Sequence, residues 1–562
     1  MANIGEYFRQ HVAAPDKVLY RHFDGGDWRD VTVGEIAVLI GRWQAALAAL
    51  GLAAGDRVAV CLRNGVDWVA LDLAALGLGL VVVPLYVDDN PDNIAWCVAN
   101  AEARLLVVES TKMASALKST GSVLPPAYVL RADTGDPTAT VASLLSAAAA
   151  APQFRSLPEN TLATICYTSG TSGRPKGVML SHGNIIANVL SCQETRMART
   201  TDLFLSILPL SHMFERTGGY YLPLSIGAKV VYARSVAELA EDLATQAPTV
   251  MFAVPRIFEK FYARVDEVLK KSPAKRWLFR QCAARGWRVE SKSAGWIDAV
   301  ATPVLRAIVA KPVLARLGGR MRLTVVGGAA LDPEIAHTFI GLGLPLLQGY
   351  GLTEASPVIS VNREEDNDPE SVGPPVPGVE VKLGEAAELH ARGGNVMLGY
   401  WRNEEATKAA IDADGWLHTG DVAEIRATKI YIRGRIKDIL VMSNGEKLPP
   451  HDVEFAVLRD PVFEQVMLVG EGRPFLTLLA VTRERDEKML VARANEQLKA
   501  FPGWVRIRRV IATPDAWSID NGLLTPTLKL KRPLVLAKFK DRVDAVYAAD
   551  AAGSARTGQV ST

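Results

Sequence analysis

Residues 167–182 read YTSGTSGRPKGVMLSH, and the rest of the chain is best read outward from them. Every position from Thr168 to Gly173 is Ser, Thr or Gly, and Arg-Pro-Lys-Gly follows. Glycine lets the backbone turn so that successive N–H groups are exposed. Hydroxyls add short donors, and lysine adds a positive charge. That combination suits a polyphosphate. It is not the GxxxxGK-Ser/Thr loop, because Pro175 stands where that pattern needs glycine and Gly177 follows Lys176. The apolar runs LATIC (162–166) and VML (178–180) hold the loop between ordered elements.

At 562 residues the chain exceeds one ordinary domain and can bury a large core. Hydrophobic residues make up 49%, charged residues 22%, and the formal net charge is +2, a globular composition with no basic excess for nucleic acid. Cys61, Cys97, Cys166, Cys192 and Cys282 are odd in number and lack CxxC spacing. They fit a reduced compartment, and neither a disulfide framework nor a zinc site. MANIGEYFRQH lacks the apolar core of a signal peptide, and LAALGLGLVVVPLYV (73–87) is short for a membrane span. The expectation is a cytoplasmic protein.

Helical spacing over 35–50 and 66–80 alternates with strand-like DRVAVCL (56–62), VVVPL (81–85), ARLLVVES (103–110), AKVVYA (228–233) and RLTVVGGAAL (322–331). Such alternation predicts an α/β fold, with sheets flanked by helices in a large N-terminal domain. SLLSAAAAAPQ (143–153) reads as a linker. GRIKDILVMSNGEKLPP (434–450) marks a second shift and puts the boundary after Arg435. The expected units are therefore 1–435, a small α+β domain 436–548 with strands around 466–482 and a helix around 484–500, and a disordered tail 549–562.

The loop matches T-S-G-S/T-T/S-G-x-P-K-G throughout and so resembles the phosphate loop of the adenylate-forming superfamily. That group includes acyl-CoA synthetases, peptide-synthetase adenylation domains and luciferases. The resemblance implies that Thr168, Ser169, Gly170, Thr171, Ser172, Gly173 and Lys176 bind ATP phosphates. QGYGLTEASP (348–357) is similar to the family's YG-L/M-TE motif. It implies Tyr350 and Gly351 at the adenine, Thr353 at the α-phosphate and Glu354 on Mg²⁺, a cation that prefers oxygen ligands. Asp421 in DGWLHTGDV (414–422) resembles the ribose-binding aspartate. In YIRGRIKDILVMSNGEKLPPHDVE (431–454), Arg435 corresponds to a ribose or phosphate ligand and Lys437 to the hinge about which the small domain moves.

GLLTPTLKLKRP (522–533) resembles P-K-T-x-x-G-K-I/L-x-R, with Lys529 as catalytic lysine, Lys531 as the competing assignment, and Leu528 in place of glycine. In PLSHMFERTGG (209–219), His212 corresponds to a histidine beside the substrate carboxylate. For VVGGAALD (325–332), the resemblance implies that Gly327 and Gly328 border adenine and the acyl tunnel. VPRIFEK (254–260) resembles a segment of long-chain enzymes and puts Arg256 on the site floor. GEAAELHARGGNVMLGYW (384–401) departs from the family's usual G-E-I/L-x-V/I-R/K-G, which reads as a change in a surface strand.

The resemblance implies two steps. A carboxylate attacks ATP to give acyl-adenylate and pyrophosphate, and a thiol such as coenzyme A then displaces AMP. The roughly 65 residues between VPRIFEK and VVGGAAL are similar to an insertion in long-chain fatty acyl-CoA synthetases. Within them, 270–292 holds eight Lys/Arg and one Glu interleaved with Trp277, Phe279 and Trp287. A basic aromatic helix of this kind suits peripheral contact with the inner face of a membrane. The alternatives are an adenylating enzyme that loads a carrier protein in trans, and a catalytically silent nucleotide- or acyl-binding protein.

Overall fold

The apolar run before the phosphate loop forms the strand Leu162–Thr168, buried along its middle and hydrogen-bonded on both sides. The computed structural model describes residues 3–133, 139–145, 150–168, 174–519, 521–525 and 529–557, with backbone alone from 550 onward. Leu162–Thr168 lies in a seven-stranded sheet ordered Gly399–Tyr400, Lys176–Ser181, Leu162–Thr168, Val81–Pro84, Arg57–Cys61, Leu105–Ser110 and Ala127–Arg131. An eight-stranded sheet runs Val358–Val361, Leu346–Gly351, Leu323–Val326, Val250–Ala253, Leu203–Ser206, Lys229–Tyr232, Val18–Asp24 and Asp27–Thr32. Its centre is parallel and its two edge strands are antiparallel.

The sequence alternation is thus real, but it feeds two sheets. The strands between 56 and 110 join the first, and those at 229–232 and 323–326 join the second. Helices pack between and around them. Val33–Ala49 starts at a capping box, in which Thr32 accepts from the Glu35 amide and Glu35 accepts from the Thr32 amide at 2.8 Å. Val66–Gly77 is buried along its whole length, which its alanines permit.

A four-stranded antiparallel sheet, Val379–Leu383, Glu388–Gly393, Leu417–Arg426 and Lys429–Arg435, follows and ends at Arg435. Beyond it, Gln465–Val469, Leu476–Val481 and Ile507–Thr513 form a three-stranded sheet. Alternation along these strands divides two cores. Val466 and Leu468 face Val453 and Leu490, while Met467 and Val469 face Val535 and Val543 on the other side.

Two expectations need correction. The 143–153 tract is no free linker where it is described. Gln44 Nε2 donates to the Gln153 carbonyl at 2.7 Å, and the Gln153 amide donates to Gln44 Oε1 at 2.7 Å. Gly41 lies so close to Ala150 that a β-carbon there would stand 2.0 Å from its carbonyl oxygen. The tail reading of 549–562 also gives way, because the last helix runs Lys540–Thr557 and only 558–562 lie outside the described residues.

The basic segment forms the helix Pro273–Glu290. Phe279 is buried in it, and Trp287 stacks on His337 with ring centres 4.0 Å apart, so both face inward. Trp277 is exposed. The next helix, Trp296–Leu305, and the turn after it present Trp296, Ile297, Val300, Val304 and Ile308 to solvent. Asp298 on the inner side of that helix is paired with Arg285 and Arg288, which fixes which face looks out. Among the described residues, no helix is long and apolar enough to cross a membrane.

Candidate active site

The register Thr168↔Lys176 makes the Ser/Thr/Gly tract the connection of an antiparallel hairpin. Ser169, Gly170, Thr171, Ser172 and Gly173 lie outside the described residues, while Thr168 and Lys176 flank them as a strand pair. Lys176 is exposed, and its Nζ sits 4.9 Å from the ring centre of Tyr400. Tyr400 is there because Gly399–Tyr400 adds an edge strand to Lys176–Ser181. Its hydroxyl donates to Glu354 Oε1 at 2.8 Å. One ring therefore touches both a lysine and a carboxylate that are far apart in sequence. The sequence reading missed Tyr400, whose signal in GYW is strand pairing across more than two hundred residues.

Glu354 stands in the one-turn helix Thr353–Ala355, just after the strand Leu346–Gly351. The Leu352 amide donates to the Pro357 carbonyl, and the Met397 amide to the Glu354 carbonyl, tying this turn on two sides. Gly351 is required sterically, since a β-carbon there would lie 2.0 Å from the Pro357 oxygen. One residue earlier, the Tyr350 hydroxyl donates to Asp421 Oδ2 at 2.6 Å. Asp421 is buried and pairs across the four-stranded sheet with half-exposed Arg435, whose Nε donates to Oδ1 at 3.1 Å. Burial and the adjacent carboxylate push the Tyr350 phenol well above its usual range, so it remains a donor.

Lys529 reaches this group from the C-terminal region. Its loop is closed by two bonds, from the Thr525 amide to the Lys529 carbonyl at 2.8 Å and from the Lys529 amide to Thr525 Oγ1 at 3.0 Å. Desolvation pushes the ammonium pKa down and nearby Arg435 adds to this, while Asp421 and Glu354 oppose it. Lys529 is itself exposed, so solvent reaches part of its side chain. Lys531 instead begins the helix Arg532–Lys538, its amide bonded to the Leu523 carbonyl. Lys437 is exposed in the turn Ile436–Asp438, two residues after Arg435.

His212 caps the short helix Met213–Glu215, its Nδ1 accepting from the Phe214 amide at 3.2 Å. That bond requires the proton on Nε2. Burial, with Lys529 adding, pushes its pKa down to about 4, so the ring is neutral at pH 7. Gly328 has φ +82°, and a β-carbon on Gly327 would press on Phe214 at 3.1 Å. Arg256, in the first turn of the helix Pro255–Lys270, is exposed.

Behind this site is a buried ion pair that sequence patterning hid. Arg216 and Asp72 have no exposed side-chain surface and bond directly. Tyr220 and Tyr221 donate to Asp72 Oδ2 at 3.1 and 2.9 Å, and Arg216 donates to Thr164 Oγ1 at 2.9 Å. Glu215 is also fully buried, and desolvation pushes its carboxyl up to about 8 despite the Ser206 hydroxyl and Ile207 amide.

The site thus gathers Lys176, Arg435 and Lys529 against Glu354 and Asp421, one positive charge in excess before any substrate arrives. This is an arrangement that accepts a polyanion. The AMP-binding enzyme family matches residues 8–401, and the AMP-binding enzyme C-terminal domain matches 437–551. A long-chain-fatty-acid–CoA ligase of Mycobacterium bovis is 31% identical over 574 residues, covering 95% of each chain. A chloroplastic long-chain-fatty-acid–acyl-carrier-protein ligase of Arabidopsis thaliana is 27% identical, covering 89% of this chain and 80% of its own. In fold, the chain is similar to the A domain of carboxylic acid reductase from Segniliparus rugosus, solved with AMP and a carboxylic acid. The TM-score is 0.77 at 21% identity, over 97% of this chain and 94% of that one. The protein belongs to the AMP-binding enzyme family.

Proposed function

We propose that this enzyme activates a long-chain fatty acid with ATP to an acyl-adenylate and then transfers the acyl group to coenzyme A, releasing AMP and pyrophosphate. The observation that best supports this reading is the grouping of Tyr350, Asp421 and Arg435 by direct hydrogen bonds, with Lys529 in the field of Arg435, Asp421 and Glu354. In the first step the fatty carboxylate attacks the α-phosphorus, bringing one anion toward another. Lys529 offsets charge on the bridging oxygen, and Lys176 with the loop 168–173 holds the departing pyrophosphate. Asp421 accepts from the ribose hydroxyls, Arg435 steadies ribose or phosphate, Tyr350 and Gly351 border the adenine with Gly328, and Thr353 bonds the α-phosphate. Neutral His212 offers its Nε2–H to the fatty carboxylate.

Glu354 fits Mg²⁺. It is an oxygen donor with one oxygen held by Tyr400, and no described residue is recorded donating to the other. When bound, Mg²⁺ would neutralise phosphate charge. In the second step the small domain, 436–548, turns at Lys437, withdraws Lys529, and opens a path for the thiol of coenzyme A to the acyl carbon. The exposed apolar row Trp296, Ile297, Val300, Val304 and Ile308, beside the basic helix, supports peripheral membrane contact, with lysine and arginine meeting anionic headgroups.

AMP release measured with a panel of fatty and aryl acids, with and without coenzyme A, tests the reading. Long-chain acids giving acyl-CoA support it, and release only with short or aryl acids refutes the substrate class. Acyl-adenylate that accumulates until an acyl-carrier protein is added would favour carrier loading in trans, the activity named for the Arabidopsis thaliana relative.

A further inference from the structure

Glu388, His390 and His418 bring one carboxylate and two imidazoles together on the four-stranded sheet, and acid activation uses none of them. Glu388 and His390 are two apart on the strand Glu388–Gly393, so both side chains emerge on one face. His390 is the cross-strand partner of His418, and their ring centres are 4.0 Å apart. His390 Nε2 lies 3.1 Å and His418 Nδ1 3.2 Å from Glu388 Oε2. All three donor atoms fall within 4.8 Å of one another. Around a tetrahedral ion with bonds of 2.0–2.1 Å, ligand atoms stand about 3.3 Å apart. Both histidine–glutamate separations are already near that length, and only the two imidazole nitrogens must draw together.

The surroundings suit an ion as well. Asp412 Oδ2 is 3.8 Å from His418 Nε2, on the far side of the ring. With an ion on Nδ1 the ring proton is carried by Nε2, and Asp412 stands on that side to orient it after a small approach. Glu388 Oε1 is engaged by the Gly420 amide at 2.8 Å, which aims Oε2 at the histidines. His390 is 7% exposed, and its Nδ1 finds no partner among the described residues. His418 keeps 34% of its side-chain surface in solvent, which gives an ion a way in and room for a water ligand. These residues lie where the chain departs from the family's strand motif.

We propose that Glu388 Oε2, His390 Nε2 and His418 Nδ1 form a binding site for one divalent transition-metal ion, with water completing the coordination. Two imidazoles and one carboxylate suit Zn²⁺, Cu²⁺, Ni²⁺ or Co²⁺ and not Mg²⁺, which demands oxygen ligands. The site is separate from Glu354. The ion would bolt two strands of the sheet together three residues before Asp421, so binding stiffens the strand on which the nucleotide-facing aspartate stands.

The test is Zn²⁺ titration by calorimetry on the full chain without a histidine tag, in millimolar Mg²⁺, with Co²⁺ absorption as a probe of geometry. Loss of an orienting carboxylate costs about 10–100-fold in metal affinity. We expect one ion per chain, binding about tenfold weaker in Asp412→Asn and more than about 100-fold weaker in His418→Ala, whose half-exposed ring can be removed without opening the core. Nitrogen-ligated, low-coordinate Co²⁺ bands that vanish in His418→Ala would agree. The proposal is overturned if wild type binds no Zn²⁺, if Mg²⁺ displaces it, or if His418→Ala binds as tightly as wild type.

Discussion

Replacing Lys529 with alanine should stop adenylate formation and spare thioester formation. In this conformation the ammonium feels the charges of Arg435, Asp421 and Glu354, the groups around which α-phosphate charge develops in the proposed first step. A unit charge about 4 Å from that oxygen contributes about 4 kcal/mol at an effective dielectric near 20. At 1.36 kcal/mol per factor of ten, this is about a 10³-fold loss in rate. The open side of the lysine admits screening counter-ions, so about 10²-fold is the lower expectation at physiological salt. Pyrophosphate release under single-turnover conditions reads the first step, and supplied acyl-adenylate with coenzyme A reads the second. Lys529→Ala should slow the first by these factors and the second less than about threefold, and Lys531→Ala should slow neither, given that about 1.4 kcal/mol is needed for tenfold. Equal loss in both half-reactions, or a larger loss in Lys531→Ala, would refute the assignment.

Tyr400→Phe removes the bond to Glu354 while keeping the ring under Lys176. One such bond to a charged group is worth about 1.5–3 kcal/mol, so kcat/KM should fall about 10–100-fold and the Mg²⁺ requirement should rise. An unchanged Mg²⁺ dependence would count against Glu354 as the metal ligand. Glu215 is protonated in the fold up to about 8. Its unfolded form ionises above about 4.5, so folding stability is lost as pH rises from there to 8. Glu215→Gln should therefore stabilise at pH 7 by up to about 3 kcal/mol, with the gain vanishing near pH 4.5 in urea melts. His182 and His212 are both pushed down to about 4. Because the unfolded histidines take protons first, stability should fall as pH drops from about 6.5 to 4, each contributing up to about 1.4 kcal/mol per pH unit. His182→Gln should flatten that slope, and an unchanged slope would be decisive against it. Replacing Trp296 and Val300 with serine should abolish flotation with anionic liposomes without changing turnover of a water-soluble acid, and binding retained by the variant would remove the apolar row from the contact.

The residues that can be read from sequence are those whose chemistry is carried in a local run. Leu346–Gly351 and the turn that follows place Tyr350 within a few residues of Glu354, and GDV brings Asp421 with it. Lys529 was recognisable only with Lys531 beside it, because a motif fixes spacing and not the direction in which each ammonium points. Tyr400 escaped because its role depends on an edge strand paired to a hairpin more than two hundred residues earlier. The alternating 56–110 and 229–326 segments gave strands correctly, but nothing in a strand's own pattern says which of two sheets it joins. Phe279 and Trp287 looked like membrane anchors by composition, and burial and stacking on His337 turned them into core. The polyalanine tract looked like a tether until Gln44 reached across to it.

The Arg216–Asp72 pair has a bearing on how substrate selection can work. Arg216 sits four residues after His212, on a segment that follows the strand Leu203–Ser206 of the eight-stranded sheet, and it bonds Thr164 in the seven-stranded sheet. Pulling the two sheets apart would strand a carboxylate and a guanidinium in a dry interior, at about 3–5 kcal/mol for a broken buried pair. If His212 meets the acid as proposed, the wall that carries it behaves as a fixed gauge. An acid that fits badly cannot be accommodated by that wall yielding, so tolerance for different acyl chains must come from parts of the cavity that this pair does not pin.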